Sequence, residues 1–221
     1  MKHDYWKRLC LAAIGIGILS FSQTVLRGSE PEKIVFIGDS ITAGYGLNRA
    51  DAYPALIGEK IAARGLPYEV VNAGVSGDTT SGGLRRIEWV LRGGEPAVVF
   101  LALGGNDGLR GVPVETTRKN LADMVDTIRR ISPRSEIVLA GMRMPENMGR
   151  DYTEAFFETF SLVAEEKDIH HLPYLLEGVG GDPEMNQDDR IHPNAGGQKR
   201  IAETVWRTLE PLLEEKPALR D

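Results

Sequence analysis

Ser40 lies in "FIGDSITAGYG" (36–46), where an apolar run gives way to Gly-Asp-Ser and then to further glycines. A serine hydroxyl is a weak nucleophile at neutral pH. To attack a carbonyl it needs a base for its proton, a carboxylate to orient that base, and N–H donors for the oxyanion that forms. The chain offers a candidate for each part. His192, in "QDDRIHPN" (187–194), is the histidine in a polar loop just before a helix start, whereas His170 and His171 fall at a strand edge and His3 in the N-terminal segment. Asp189 precedes His192 by three residues, a spacing that lets a loop carboxylate reach back to the imidazole Nδ1; its neighbour Asp188 competes for that place. Gly77 in "VSGD" offers a backbone N–H with no side chain in the way. Asn106 in "GGND" offers a side-chain amide, and the N–H of Ser40 is a third donor. Taken singly these are a turn serine, a surface histidine, an N-cap or turn aspartate, a positive-φ glycine and an Asx-turn. Taken together they are the parts of an acyl transfer through an acyl-Ser40 intermediate. Only a neutral imidazole can take the Ser40 proton, so an acid limb in the rate is expected.

The elements that must carry these residues alternate along the chain. Apolar, β-branched runs predict strands at 33–37, 68–73, 97–103 and 136–141, with a short fifth at 170–175. Between them lie helical patterns. Residues 51–65 start at Asp51, a candidate N-cap, with Pro54 in the first turn. Residues 82–94 set Leu84, Ile87 and Leu91 on one face, and 113–132 do the same with Leu121, Val125, Ile128 and Ile131. Residues 151–167 present Phe156, Phe157, Phe160, Val163 and Ala164, and about 195–213 present Ile201, Val205, Leu209 and Leu212. Helix-length crossovers require parallel strands, and short apolar strands require cover on both faces. The pattern therefore predicts a single three-layer α/β domain with five strands. Ligands of such sheets gather at the carboxyl ends of the strands, which is where the loops bearing Ser40, Gly77 and Asn106 fall.

These segments resemble, block by block and in order, the four that define the SGNH (GDSL-type) hydrolase family. "SGDTTSGGLRRI", "LGGNDGLRG" and "QDDRIHPN" carry a nearer resemblance to its bacterial arylesterase, thioesterase and lysophospholipase group. The resemblance runs from about residue 33 to 213. It implies a flavodoxin-like sheet of order 2-1-3-4-5. It also implies Ser40 as nucleophile, His192 as base, Asp189 as its partner, and Ser40, Gly77 and Asn106 as oxyanion donors. Neither metal nor cofactor is required. The loop "MRMPENMGRDY", Met142 to Tyr152, resembles the segment bordering the acyl pocket in that group, with Met142, Met144 and Met148 as a deformable wall. The expected substrates are esters and thioesters of short to medium acyl chains, including aryl esters and lysophospholipids. A carbohydrate O-acetylesterase, a non-catalytic binding module on the same fold, and a metal site at Asp188, Asp189 and His192 are the alternatives.

Composition narrows the classes further. The 221 residues carry a net charge of −6 with no basic run, which disfavours nucleic acid. A single cysteine, Cys10, excludes an internal disulfide or a cysteine zinc cluster. No G-x-x-x-x-G-K-[ST] or G-x-S-x-G motif occurs. Residues 1–28 start basic, with Lys2, Lys7 and Arg8, and continue into an apolar run from Leu9 to Phe21. That pattern is expected of an export signal or an N-terminal membrane anchor over 9–26. Residues 29–221 are then a monomeric, exported hydrolase domain.

Overall fold

A computed structural model describes residues 30–215; the export or anchor segment, with Cys10, lies outside them. Five parallel strands form one sheet in the order β2-β1-β3-β4-β5. They are β1 (Glu32–Gly38), β2 (Tyr68–Gly74), β3 (Val98–Ala102), β4 (Glu136–Ala140) and β5 (His170–Leu172). The long helices are α2 (Tyr53–Ala63), α3 (Thr80–Val90), α5 (Val114–Ile131), α6 (Arg150–Glu166) and α7 (Ala195–Glu215). Helices α2 and α7 pack together, and α3, α5 and α6 pack in a row. This is the three-layer sandwich that crossovers of one hand produce on this strand order. The order 2-1-3-4-5 holds as expected.

The core is centred on β1 and β3, whose apolar residues are buried throughout. Phe36 pairs in register with Phe100, their rings 5.1 Å apart, and Tyr53 from α2 meets Phe36 edge-on at 5.6 Å. Edge strand β2 is only half covered. Along the helices most of the anticipated face residues are buried, while Leu84, Ile131 and Phe157 are only partly so. Leu213 rather than Leu212 is fully buried in α7, and Met124 joins the α5 face.

Two short helices escape the periodicity because they are too short to show one: α1 (Ser40–Ala43) and α4 (Gly105–Leu109). Helix α1 sits between the carboxyl ends of β1 and β2. A Cβ on Gly74 would lie 2.4 Å from the Ala43 nitrogen, so only glycine admits this approach. The α1 carbonyls are capped from afar, Thr42 by the Asn72 amide at 2.8 Å and Ile41 by the Gln198 amide at 3.0 Å. Within the core, the Thr42 hydroxyl meets that of Tyr53 at 2.9 Å.

The N-cap expected at Asp51 is not formed. Asp51 belongs to a 3-10 turn, and α2 begins after Ala52 with no local side-chain cap. The orphan N–H of Tyr53 donates instead to Gln198 Oε1 at 2.8 Å, across 145 residues. Gln198, buried in α7, thus satisfies α1 and α2 at once. Gln198→Ala strands the buried Tyr53 N–H and leaves the Ile41 carbonyl with only the Gly44 N–H at 3.3 Å, and a destabilisation of about 1–3 kcal/mol is expected. Urea unfolding checks this; an unchanged midpoint would show that water replaces both bonds.

Candidate active site

The Gly-Asp-Ser turn is local in origin. Asp39 caps α1, its Oδ1 accepting the Ile41 N–H at 2.9 Å, so Ser40 opens the helix directly after the β1 strand. The Ser40 hydroxyl points to the loop before α7, where His192 Nε2 lies 2.9 Å away. On the far side of the ring, Nδ1 lies 2.6 Å from Asp189 Oδ2. Asp189 Oδ1 also accepts the backbone N–H groups of Ile191 and His192, each at 2.9 Å. These bonds, the ring N–H foremost, hold the Asp189 carboxyl down at about 2, so it stays ionised. An ionised acceptor keeps the ring proton on Nδ1 and leaves Nε2 free to accept from Ser40. Asp188, the competitor in sequence, makes no hydrogen bond to the ring among the described residues. No group of three His, Cys, Asp or Glu side chains among them is arranged for a metal.

The histidine loop is shaped before it is used. Asn186 and Pro193 pair across it, and Gln187 N–H donates to the His192 carbonyl at 2.8 Å. The Gln187 side-chain amide bridges the carbonyls of Tyr45 (2.8 Å) and Pro193 (3.1 Å), which ties this loop to the turn after α1. The Tyr45 ring leans on the imidazole, centroids 4.6 Å apart. Between Asp189 and His192, Arg190 takes a left-handed backbone (φ +58), a strained state for a side chain with a Cβ.

Gly77 and Asn106 come from the next two strand ends. Gly77 has φ +79, so its turn reading holds whatever else it does. Its carbonyl accepts from Arg110 at 3.1 Å. The N–H groups of Ser40 and Gly77 find no protein acceptor among the described residues. Asn106 Nδ2 donates to the Asp78 carbonyl at 3.0 Å and to Asp39 Oδ2 at 3.3 Å, which brings its loop against both others. The residue after it, Asp107, is buried and takes both the N–H (2.8 Å) and the hydroxyl (2.5 Å) of Thr80. Arg86 pairs with Asp78 at 2.7 Å and donates to the Gly38 carbonyl at 3.1 Å.

Beside these residues an apolar groove of about 420 Å³ opens, reached past Ile41, Gly105 and Ile191. Of the loop from Met142 to Tyr152, only Met142 to Glu146 line it. Met148 sits in a 3-10 turn away from the groove, and the Tyr152 hydroxyl is spent on the carbonyls of Val112 (3.0 Å) and Gly108 (3.3 Å). The part of the loop on the groove therefore ends at Glu146, the first residue of that turn.

Asp39, Tyr45 and Gln187 escaped the reading of the sequence. Asp39 is 2% exposed, and burial pushes its carboxyl up to about 6. An acid directly before a candidate nucleophile, at the end of a fully apolar strand, was the available signal. For Tyr45 and Gln187 there was none, since their partners lie far along the chain.

Comparison with known proteins gives a consistent set. The profile of the GDSL-like lipase/acylhydrolase family matches residues 36–200. Esterase TesA of Pseudomonas aeruginosa is 40% identical over 204 residues, 92% of this chain and 96% of that protein. Thioesterase 1/protease 1/lysophospholipase L1 of Escherichia coli is 37% identical over 187 residues, 85% of this chain and 88% of that one. Among solved structures, the crystal structure of TesA superposes with a TM-score of 0.79 at 42% identity, covering 82% of this chain and all of that one.

Asp39→Asn keeps an acceptor for Ile41 but turns an NH₂ toward the Asn106 amide. The kcat for a simple ester is expected to fall about 10- to 100-fold through displacement of that amide, and an unchanged kcat would show Asn106 to be placed without Asp39. The raised folded pKa means that the native chain keeps this proton to higher pH than the unfolded one. Its contribution to stability is therefore largest below the ordinary 3.8 and declines until about 6. Asn does not titrate, so the stability of the variant relative to wild type should improve from pH 4 to pH 6, as read by denaturant melts at about six pH values across that range.

Proposed function

The chain belongs to the GDSL-like lipase/acylhydrolase family, and from that premise we propose that it cleaves carboxylic esters and thioesters by acyl transfer first to Ser40 and then to water. The observation that carries the reading is the unbroken hydrogen-bonded line from Asp189 through His192 to the Ser40 hydroxyl. As Ser40 Oγ attacks the carbonyl carbon, its proton passes to His192 Nε2, and Asp189 stabilises the imidazolium that results. The developing oxyanion takes the open N–H groups of Ser40 and Gly77. Asn106 turns the amide hydrogen now given weakly to Asp39 toward it as well. One such donor is worth about 3 kcal/mol in the transition state. His192 then returns the proton to the departing alcohol or thiol, and a water deprotonated by the same ring releases the acid.

The groove supports short to medium acyl chains, because Ile41, Leu109, Met142, Met144, Leu176 and Ile191 give it an apolar surface. A relative named for thioesterase and lysophospholipase activities extends the proposed range to thioesters and lysophospholipids. A sugar acetate would leave most of this groove unfilled, which disfavours the O-acetylesterase alternative. The basic start and apolar run of residues 1–28 support a place outside the cytoplasm for the domain. The chemistry needs no second copy of the chain.

Ser40→Ala is expected to lower hydrolysis of p-nitrophenyl butyrate at least about 1,000-fold while the melting temperature is retained. A fluorophosphonate should label the wild type at Ser40 and leave the variant unlabelled. Undiminished turnover by the variant, or a wild type silent to the probe, would remove the nucleophile from the mechanism.

A further inference from the structure

The groove beside Ser40 is not the only cavity on this side of the molecule. A second, of about 550 Å³, is lined by Leu172, Pro173, Glu177, Thr204 and Arg207 among others. Two residues, Arg143 and Tyr174, line both. They form the partition between the two spaces, and the partition is held unusually for a charged group. Arg143 has no carboxylate partner among the described residues. Its guanidinium lies instead over the Phe157 ring, 4.1 Å from the centroid, and 5.0 Å from that of Tyr174. The Tyr174 ring is in turn backed by bare backbone, since a Cβ on Gly180 would lie 2.1 Å from its hydroxyl.

The groove is mainly apolar, with Glu146 and Arg190 as its other charged lining residues, and an acyl chain that fills it abuts this partition. There the next methylene must press against a guanidinium, strip water from it, or displace it from two aromatic faces, and none of these is favourable. We propose that Arg143 and Tyr174 form a ridge that sets the acyl-chain length the enzyme accepts, and that the cavity beyond becomes acyl-binding space when the ridge is removed. This rests on the reading of Ser40 as an esterase nucleophile whose acyl group occupies the groove. The ridge is a specificity determinant: it touches the far end of the acyl chain and none of the reacting atoms.

The test uses the purified protein and a ladder of p-nitrophenyl esters from acetate to palmitate, with kcat/KM measured for each. In Arg143→Ala and in Tyr174→Ala the ratio of decanoate to butyrate should rise about tenfold, the size of effect that added room for methylenes gives in an apolar pocket. Tyr174→Phe keeps the ring under Arg143 and should hold the wild-type ratio to within about twofold. Arg143 is exposed, so its variant is expected to fold even where Tyr174→Ala does not, and it decides the matter alone in that case. An unchanged ratio in Arg143→Ala overturns the ridge while leaving the esterase reading intact. A wild type that hydrolyses no member of the ladder overturns the esterase reading and the ridge with it.

Discussion

A hydroxyl and an imidazole 152 residues apart in sequence are held at hydrogen-bonding distance here, and the constraint behind that contact is backbone crowding at the carboxyl ends of β1 and β2. Helix α1 fits there because Gly74 presents no Cβ, and it stays because distant side chains satisfy its carbonyls. Its position is referred to the core by the Thr42–Tyr53 hydroxyl contact, and Tyr53 packs on Phe36 at the centre of the sheet. The Ser40 side of the site is therefore an extension of the hydrophobic core. The His192 side is a loop, and its order comes from its own hydrogen bonds and from those it makes to the first turn. Long-range closure of this kind has an entropic cost that grows slowly with separation, so a rigid sheet beneath both ends is enough to sustain it.

Two aspartates flank the Ser–His pair in opposite environments. Asp189 is partly exposed and receives three N–H groups, so its carboxyl is held low and carries charge throughout the neutral range. Asp39 is buried, and desolvation outweighs its backbone hydrogen bond, so its carboxyl is held high. The same residue type thus supplies a fixed negative charge behind the imidazole and a titratable acceptor behind the Asn106 amide. Arg86 contributes to the balance by neutralising Asp78 within the same cluster of loops.

Most of this architecture is legible in the sequence. Strands flanked by glycine and helices with one apolar face are local signals, and Ser40, Gly77 and Asn106 each follow a strand closely enough to inherit its position. Asp189 was identifiable from its three-residue spacing to His192. Strand order was not, since alternation of elements is compatible with several crossovers, and it came from the family resemblance. What stayed hidden depends on contacts across the chain. Asp51 has the right chemistry for a cap, yet the cap comes from Gln198, whose neighbours in sequence are unremarkable. Leu212 and Leu213 are adjacent, and which of them is fully buried depends on how α7 is turned against the rest of the fold. Met148 looked like its neighbours Met142 and Met144, but it closes the 3-10 turn Glu146–Met148 and lies outside the groove lining.

The Gln187 amide grips the carbonyl of Tyr45, beyond the Ser40 turn, and that of Pro193, beside His192, with the same nitrogen. The Ser40 turn and the His192 loop are thereby clamped together, and relative motion between them is resisted. Across the groove from that clamped pair runs a stretch of irregular chain carrying Met142 and Met144. The clamped pair also supplies Ile41 and Ile191 to the groove, so a change that loosens the clamp reshapes the groove mouth with it.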